Sequence, residues 1–458
     1  MSQDAQLHAI RRFGLGPRPD ALRDIGRDPR AYVLAQLDRP DAAEIRDEAL
    51  PPTHEVLQFE QRRNQKRRAL RKSDAPDEEE IKRLRPGPIR RRVYLEETAA
   101  RVHQAVTTAT PFVERLVLFW SNHFAVSARK GIVRGVVGAF EREAIRPHVL
   151  GRFADLLRAV EQHPAMLIYL DNRRSMGANS RAGQRRRRGH NENLAREILE
   201  LHTVTETAGY TQADVTNFAK IITGWSIAPH RPDRGREGGT FRFLAHMHEP
   251  GDFEVLGTTY DQRGVRAGEA VLEDLARHPA TADHIARKLA VHFVSDTPPA
   301  ELVEKLAATF RETDGDLAAV SRALVTHKAA WAAPAEKVTP PFPYLVGIMR
   351  ALDLQPRPRE VVRLLRTLGQ PLWAPPTPKG WPDGDMDWAG PAALRERLRI
   401  AGRAARRARG APRQDPRSFA DALFGPHLTD PTRIAIARAE TVEQGLQLLI
   451  MSPEFQRR

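Results

Sequence analysis

The chain contains 458 residues, carries a formal net charge of +14 at pH 7 and has no cysteine. This length is enough for one to three domains with a substantial hydrophobic core. The lack of cysteine excludes disulfides, thiolate metal sites and cysteine nucleophiles. The charge would suit a nucleic-acid binder, but the excess of arginine is equally well explained by a general bias in composition.

Membrane segments and targeting signals are not evident in the sequence. Apolar stretches such as 116–120 and 446–451 are far shorter than the roughly 18 residues that a membrane-spanning helix needs. The first residues lack the basic region and the apolar region of a signal peptide. The sequence as written therefore predicts a cytoplasmic protein with no membrane span.

Helical periodicity dominates the chain, and runs of alternating β-branched residues are nearly missing, so we predict an all-α fold. In chain order, the predicted helices are 31–37, 52–72, 90–109, 111–126, 132–142, 152–160, 192–201, 212–222, 281–294, 299–311, 317–326, 359–368, 392–409 and 442–451. One small β-hairpin is predicted around residues 239–259, because the apolar segments 240–243 and 252–257 flank a Pro-Gly turn.

The chain is predicted to form one compact assembly with three parts. Residues 1–110 would form peripheral helices that include a basic helical hairpin, and residues 111–333 the central helical core. Residues 334–458 would add further helices and a loop rich in proline and tryptophan. Loops are expected at 171–190, 334–343 and 369–390.

The most informative segment is the polar helix, residues 191–203. On a helical wheel, polar side chains gather on one arc and aliphatic side chains fill the opposite face. The polar arc holds Glu192, Asn193, Arg196, Glu197 and Glu200. Asn193, Glu197 and Glu200 are spaced i, i+4 and i+7, so their oxygens can converge on a divalent cation or form a general acid and base pair.

The polar helix and several other motifs resemble the signature of the bacterial domain-of-unknown-function 1800 family. The matching segments include 11–14, 120–124, 142–148, 163–172, 191–203, 209–211, 223–225, 278–282 and 452–455. The resemblance implies a mostly helical bacterial protein without an established activity, often exported and often encoded beside a sulfatase-like partner. The chain departs from the family pattern by lacking an evident signal peptide and by having Thr205 where glycine is usual.

Other candidate ligands lie outside the polar helix. His246 and His248 would point to the same face of a strand, from which His248 could join Glu197 and Glu200 around a metal ion. Trp225 would lie at the mouth of the helix pair that includes the polar helix. Trp381 lies in the proline-rich loop, where it could stack on a sugar or cover a pocket.

Two arginine-rich segments, 171–190 and 395–413, carry much of the positive charge. Either could bind phosphate or another anion. Both lack the interleaved aromatic residues of a single-strand binding surface, which makes nucleic-acid binding an unfavoured function. The first segment, with its run at 185–188, leads directly into the polar helix and could attract an anionic substrate towards the carboxylates.

The leading functional hypothesis is a hydrolase that acts on an anionic or glycan-like substrate, with a divalent metal ion as a candidate cofactor. The predicted catalytic residues are Glu192, Arg196, Glu197 and Glu200; the substrate-binding residues are Asn191, Asn193, Trp225 and Trp381; and the metal ligands are Glu197, Glu200 and His248. The first alternative is a non-enzymatic scaffold whose polar helix is structural. The second is a nucleic-acid binder that uses its arginine-rich loops.

Overall fold

The computed structural model describes residues 5–74, 76–187, 189–229, 238–332, 336–355, 357–408 and 415–458. These residues are mostly helical, which confirms the predicted all-α class. The helices are α1 (Ala5–Arg11), α2 (Ala21–Ile25), α3 (Pro29–Leu34), α4 (Thr53–Leu70), α5 (Glu78–Arg83), α6 (Gly87–Thr107), α7 (Pro111–His123), α8 (Val137–Phe140), α9 (Phe153–Glu161), α10 (Pro164–Tyr169), α11 (Arg181–Arg186), α12 (Asn193–Glu197), α13 (Gln212–Ile221), α14 (Val265–Arg277), α15 (Pro279–Phe293), α16 (Ala300–Glu312), α17 (Leu317–Thr326), α18 (Ala329–Ala332), α19 (Pro341–Ala351), α20 (Pro358–Thr367), α21 (Pro391–Arg407), α22 (Pro416–Phe424), α23 (Asp430–Ala437), α24 (Val442–Met451) and α25 (Pro453–Gln456).

Four short strands form two separate antiparallel sheets: β1 (Trp225–Ile227) pairs with β2 (Phe241–Phe243), and β3 (Phe253–Val255) pairs with β4 (Thr258–Tyr260). A small hairpin therefore lies in the predicted region. The predicted pairing of 240–243 with 252–257 is wrong, because β3 turns back at Leu256 and Gly257. Both residues have positive φ, of 50° and 78°, as a two-residue type I′ hairpin turn requires.

Most predicted helices are present, but three of them are not continuous α-helix. The segment predicted as 31–37 is α3 followed by a 3-10 turn, Ala35–Asp38. The segment predicted as 132–142 is a 3-10 turn (Val133–Gly135), α8 and a π-helical segment (Glu141–Ile145). The segment predicted as 192–201 is α12 followed by a second π-helical segment, Ile198–His202. Among the described residues, no helix combines the length and the apolar character needed to cross a bilayer.

Two segments that were predicted as loops, one rich in proline and one rich in arginine, contain helices. The expected loop 334–343 contains the start of α19, whose first turn carries prolines 341 and 343. Proline is well tolerated there because the first helical amides have no intrahelical acceptor. The arginine-rich loop contains α11, which begins where the Ser180 side chain accepts a hydrogen bond from the amide of Gly183.

A continuous hydrophobic core runs through the described residues. Phe112, on the nearly fully buried helix α7, contacts Phe13 edge-on at 5.4 Å and Phe293 at 5.5 Å. Phe13 also lies 4.9 Å from the ring of Trp331. These aromatic contacts join segments on either side of residue 110, while the predicted division of the chain into three parts stays a prediction.

The early part of the chain is joined to its late part by backbone and side-chain contacts. Arg11 donates to the carbonyl of Glu454 at 3.0 Å, and Arg12 donates to the carbonyl of Ala330 at 2.6 Å. Gly16 has a φ of +93°, and a Cβ atom there would lie 2.9 Å from the Cα of Gly347. Only glycine permits both this backbone conformation and this approach.

Four buried charges form a balanced network beneath α7. Arg146 donates to both carboxylate oxygens of Glu114 at 2.7 and 2.8 Å and to Glu141 at 2.9 Å. Arg101 lies 3.1 Å from Glu141, which also accepts a hydrogen bond from the indole of Trp373 at 3.0 Å. Each charge therefore has an opposite partner, as burial requires.

Candidate functional site

The polar helix combines a short α-helix with a π-helical turn. The Asn191 side chain accepts a hydrogen bond at 2.8 Å from the amide of Asn193, the first residue of α12. The Asn193 side chain is exposed. After Glu197 the backbone becomes π-helical as far as His202. Such turns are rare and frequently occur at functional sites.

Glu192 is held in a fully bonded network on the surface of this helix. One carboxylate oxygen accepts from Thr216 at 2.8 Å, and the other accepts from Gln212 at 2.9 Å and from Arg196 at 3.1 Å. Arg196 also donates to the side-chain oxygen of Gln212 at 2.8 Å. These bonds hold the pKa of Glu192 below its usual value. Glu192 and Arg196 therefore fasten α12 to α13.

Glu197 occupies a different environment on the same helix. It is partly exposed, and burial raises its pKa above the ordinary value for a glutamate. The nearby negative charges of Glu200 and Glu161 add to the rise, whereas His202 and Arg196 oppose it. Glu197 in turn contributes to the raised pKa of Tyr169, which is about 12 mainly because of burial. Perturbed carboxylates that solvent can still reach are characteristic of functional sites.

A fully buried pair lies beneath Glu197. The Nδ1 atom of His202 is 2.8 Å from Oε1 of Glu161, although the two groups lack the alignment of a hydrogen bond. The π-helical turn also exposes two backbone carbonyls to histidines of neighbouring helices. His123 lies with its Nε2 3.1 Å from the carbonyl oxygen of His202, and His284 with its Nε2 3.1 Å from that of Leu201. Burial lowers the pKa of both His123 and His284, which favours neutral rings at these positions.

A second set of titratable side chains follows one side of α15, and the sequence analysis did not single it out. His284, Lys288 and His292 are spaced four residues apart, which places neighbours on the same side of the helix. Burial lowers the pKa of His284 and His292 to about 4. Lys288 is partly exposed, and burial lowers its pKa too. The spacing was a usable signal, but the burial could not be inferred from it.

A cavity of about 100 Å³ lies between α7, α15 and the segment 371–390. Asn122 exchanges two hydrogen bonds with the backbone of Trp381, at 2.7 and 2.9 Å, and so fixes the segment against α7. The ring of His292 lies between Arg115, 3.2 Å from its Nε2, and Asp383, 3.5 Å from its Nδ1. Trp381 lines this cavity and is partly exposed.

Comparison with known proteins places the chain in a family. The family model described as a protein of unknown function, DUF1800, matches residues 8–457. The chain belongs to the DUF1800 family. Neither the curated proteins nor the solved structures contain a match to it. Membership of the family therefore assigns no activity to this DUF1800 protein.

The predicted metal set of Glu197, Glu200 and His248 is not assembled. Among the described residues, no group of three or more His, Asp or Glu side chains is placed to hold a metal ion. His248 is instead 3.1 Å from the carbonyl oxygen of Thr223 through its Nδ1. His246 lies in a 3-10 turn and not on a strand, so the expected alignment of the two histidines does not form.

Trp225 was predicted to bind substrate, but its side chain lies in the core, where solvent does not reach it. Its side chain is fully buried, with its ring 5.7 Å from that of Phe241 and in close contact with Gly268. A substrate arriving from solvent cannot reach this ring without a rearrangement of the core. Trp225 belongs to the packing beneath the first sheet, whereas Trp381 borders a cavity.

The arginine-rich segment before the polar helix is fastened at its start and exposed at its end. Glu249 is buried and accepts hydrogen bonds from the backbone amide of Asn179 at 2.9 Å and from its side chain at 2.5 Å. The side chains of arginines 185, 186 and 187 are exposed. Arg188 and residues 409–413 of the second basic segment lie outside the described residues.

Proposed function

We propose that this DUF1800 protein is a hydrolase in which Glu197 transfers protons to and from the substrate. The observation that carries the proposal is the environment of Glu197, which is partly exposed and yet has a raised pKa. A carboxyl group of this kind keeps its proton at a pH where an ordinary glutamate has lost it, so it can act as a general acid. Glu200, whose charge acts on Glu197, supplies the second carboxylate.

The other residues of the polar helix support this chemistry and do not share it. Glu192 and Arg196 bond to each other and to Gln212, so they position α12. The Asn191 side chain accepts a hydrogen bond from the first backbone amide of α12, and the exposed side-chain amide of Asn193 is free to contact a substrate beside Glu197. This assignment narrows the catalytic set from four predicted residues to Glu197 and Glu200. No step of the proposal uses a metal ion.

An anionic substrate is favoured by the charge that precedes the polar helix. Three exposed arginines, at 185, 186 and 187, lie within about one dozen residues of Glu197 along the chain. Their field would raise the local concentration of an anion and orient it towards the carboxylates. Export and partnership with a sulfatase-like protein, which the family resemblance implies, stay predictions.

The test is a hydrolase screen on the full-length protein with chromogenic esters, phosphoesters and glycosides. We expect Glu197→Gln to lower kcat by at least about 100-fold on any substrate that the wild type cleaves, which is the usual contribution of a general acid. Glu206→Gln is the matched control, because Glu206 is an exposed carboxylate just after the π-helical turn. Full activity of Glu197→Gln, or no hydrolysis of the whole panel by the wild type, would count against the proposal.

A scaffold is the second candidate, and the Glu192 network favours it. Both oxygens of this carboxylate are satisfied by neighbouring side chains, which is what a structural polar network needs. In that case the Glu197 and Glu206 variants would behave alike in every activity assay, and the polar helix would serve only to hold α12 against α13.

A further inference from the structure

We propose that the cavity between α7, α15 and the segment 371–390 binds a small oxyanion, a carboxylate or a phosphate group, through Arg115 and Arg458. This site is separate from Glu197. It rests on two buried arginines that line the same cavity and have no carboxylate partner within 4.0 Å among the described residues.

Arg115 is a buried cation without a charged partner close to it. Its side chain is 1% exposed, yet among the described residues no carboxylate lies within 4.0 Å of it. Its Nη2 is 3.2 Å from the ring of His292, and its Nε has no hydrogen-bond acceptor. The remaining contact is the face of Phe293, 5.4 Å away. A buried cation with one neutral partner is costly unless an anion joins it.

The arginines of the nearby charge network make the contrast clear. Arg146 is fully buried as well, but it bonds to two carboxylates, Glu114 and Glu141. Arg101, which also lines the cavity, lies 3.1 Å from Glu141. Other buried arginines that lack a carboxylate, such as Arg350, donate instead to backbone carbonyls. Among the described residues, the guanidinium of Arg115 bonds to neither a carboxylate nor a backbone carbonyl, and Arg115 lines the cavity.

Arg458 supplies a second set of free donors in the same cavity. Its side chain is 2% exposed, and its buried Nε and Nη1 atoms have no hydrogen-bond partner in the described part of the chain. The segment is held in place by the Arg458 amide, which donates to the carbonyl of Lys337 at 2.8 Å. Two guanidinium groups on one small space form the arrangement that recognises carboxylate and phosphate oxygens.

The charges around the cavity favour an anion. Among the charged side chains that line the cavity, Arg101 and Glu141 neutralise each other, which leaves Arg115 and Arg458 against the side-chain carboxylate of Asp383. Asp383 lies beside His292 and near Lys337. It keeps its negative charge, because its interactions with His292 lower its pKa despite burial. The space of about 100 Å³ limits the ligand to a small group or to the anionic end of a larger one.

The test measures anion binding by the full-length protein. Thermal unfolding and calorimetric titration would be followed in potassium phosphate and in potassium acetate, with potassium chloride at the same ionic strength as the reference. We expect phosphate or acetate to raise Tm beyond chloride, because a ligand that binds only the folded state stabilises it. The two salts separate a phosphate ligand from a carboxylate ligand.

Variants assign the effect to the cavity. Arg115→Met should weaken binding at least tenfold, and Arg458→Gln provides an independent test if Arg115→Met does not fold. Arg350→Met is the matched control: Arg350 is also buried, but it donates to the carbonyls of Ala105 and Val106 outside the cavity. This control should lose stability and keep the anion response.

Two results would overturn the inference. One is a wild-type protein whose Tm is the same in all three salts. The other is an anion response that Arg115→Met and Arg458→Gln leave unchanged. Because binding is read without any turnover, failure here would leave the hydrolase proposal standing, and failure of the hydrolase screen would leave this site standing.

Discussion

Two glutamates five residues apart on one helix have opposite electrostatic environments. Glu192 has its charge stabilised by three neighbouring donors, whereas Glu197 has its charge opposed by burial and by two other carboxylates. Carboxylates whose pKa is raised in this way cluster at functional sites. This difference is the basis for proposing Glu197, and not Glu192, as the proton-transfer group.

Glu197→Gln should make the protein more stable at pH 7. The folded-state pKa of Glu197 is raised, so above the ordinary pKa of a glutamate, near 4.3, its ionisation favours the unfolded chain. The glutamine variant removes that cost. The gain should shrink as the pH falls towards 4, where both states hold the proton. Urea unfolding at pH 7 and near pH 4 measures it; a variant less stable than wild type at pH 7 would contradict the assignment.

At the same scale, sequence reasoning found the carboxylates but not their surroundings. The wheel placed Glu197 and Glu200 on one arc, and in the structure the charge of Glu200 helps to raise the pKa of Glu197. The wheel could not predict the buried Glu161 beneath them. Glu161 lies on α9 and contacts His202 of the π-helical turn, and a wheel of one helix shows no contact with another. Trp225 was predicted at the mouth of the helix pair, but its ring is fully buried and lies against that of Phe241 in β2.

Among the helices, α15 carries three titratable side chains along one side, and each is at least partly buried. Lys288 lies between His284 and His292 on this helix, and its lowered pKa reflects burial, opposed by Asp383. A lysine with a lowered pKa has a larger neutral fraction at pH 7, and the neutral amine is the form that attacks electrophiles.

Lys288 should therefore be modified early by a limiting amount of an acylating reagent at pH 7. Peptide mass spectrometry would compare its extent of acetylation with that of Lys328, which is exposed. We expect Lys288 to be acetylated at least as fast as Lys328 in spite of its smaller exposure. Much slower labelling, with Lys288 still reactive after unfolding, would mean that the side chain is merely inaccessible.

Helices could be predicted from the sequence where one apolar face and one polar face define them. Helices such as α9 and α24 alternate apolar and polar faces, and their bounds agree with the predicted ranges to within about two residues. The π-helical turn after Glu197 was not predictable, because the same residues fit an α-helix equally well. The partner of β2 was missed for a related reason: pairing depends on β1, which lies across a long connection.

At the scale of the whole molecule, the network of Arg146 with Glu114 and Glu141 joins α7 to the π-helical segment after α8. Arg146→Met should destabilise the protein by about 3–5 kcal/mol, because two buried carboxylates lose their shared partner. Chemical denaturation gives this value. Arg322→Met is the control, since Arg322 makes an exposed ion pair with Asp38, and it should cost less than about 1 kcal/mol. Equal losses in the two variants would refute the role given to the network.

The fold class followed from periodicity, and the matching motifs identified the family from the residues alone. The network and the cavity were beyond reach, because the buried arginines at 115 and 146 look like any others in a chain with 72 basic residues. Which of them meets a carboxylate depends on contacts between helices far apart in sequence.

Arg11 and Arg12 contact residues more than 300 positions later in the chain, so these contacts can form only late in synthesis. At about 5–20 residues per second, the ribosome needs roughly 20 to 90 seconds to reach the residues that complete this packing. During that time Phe13 and Leu15, both buried in the finished protein, remain without their final cover. A ribosome that stalls late therefore leaves a chain with exposed apolar side chains, prone to aggregation and dependent on chaperones until its last helices emerge.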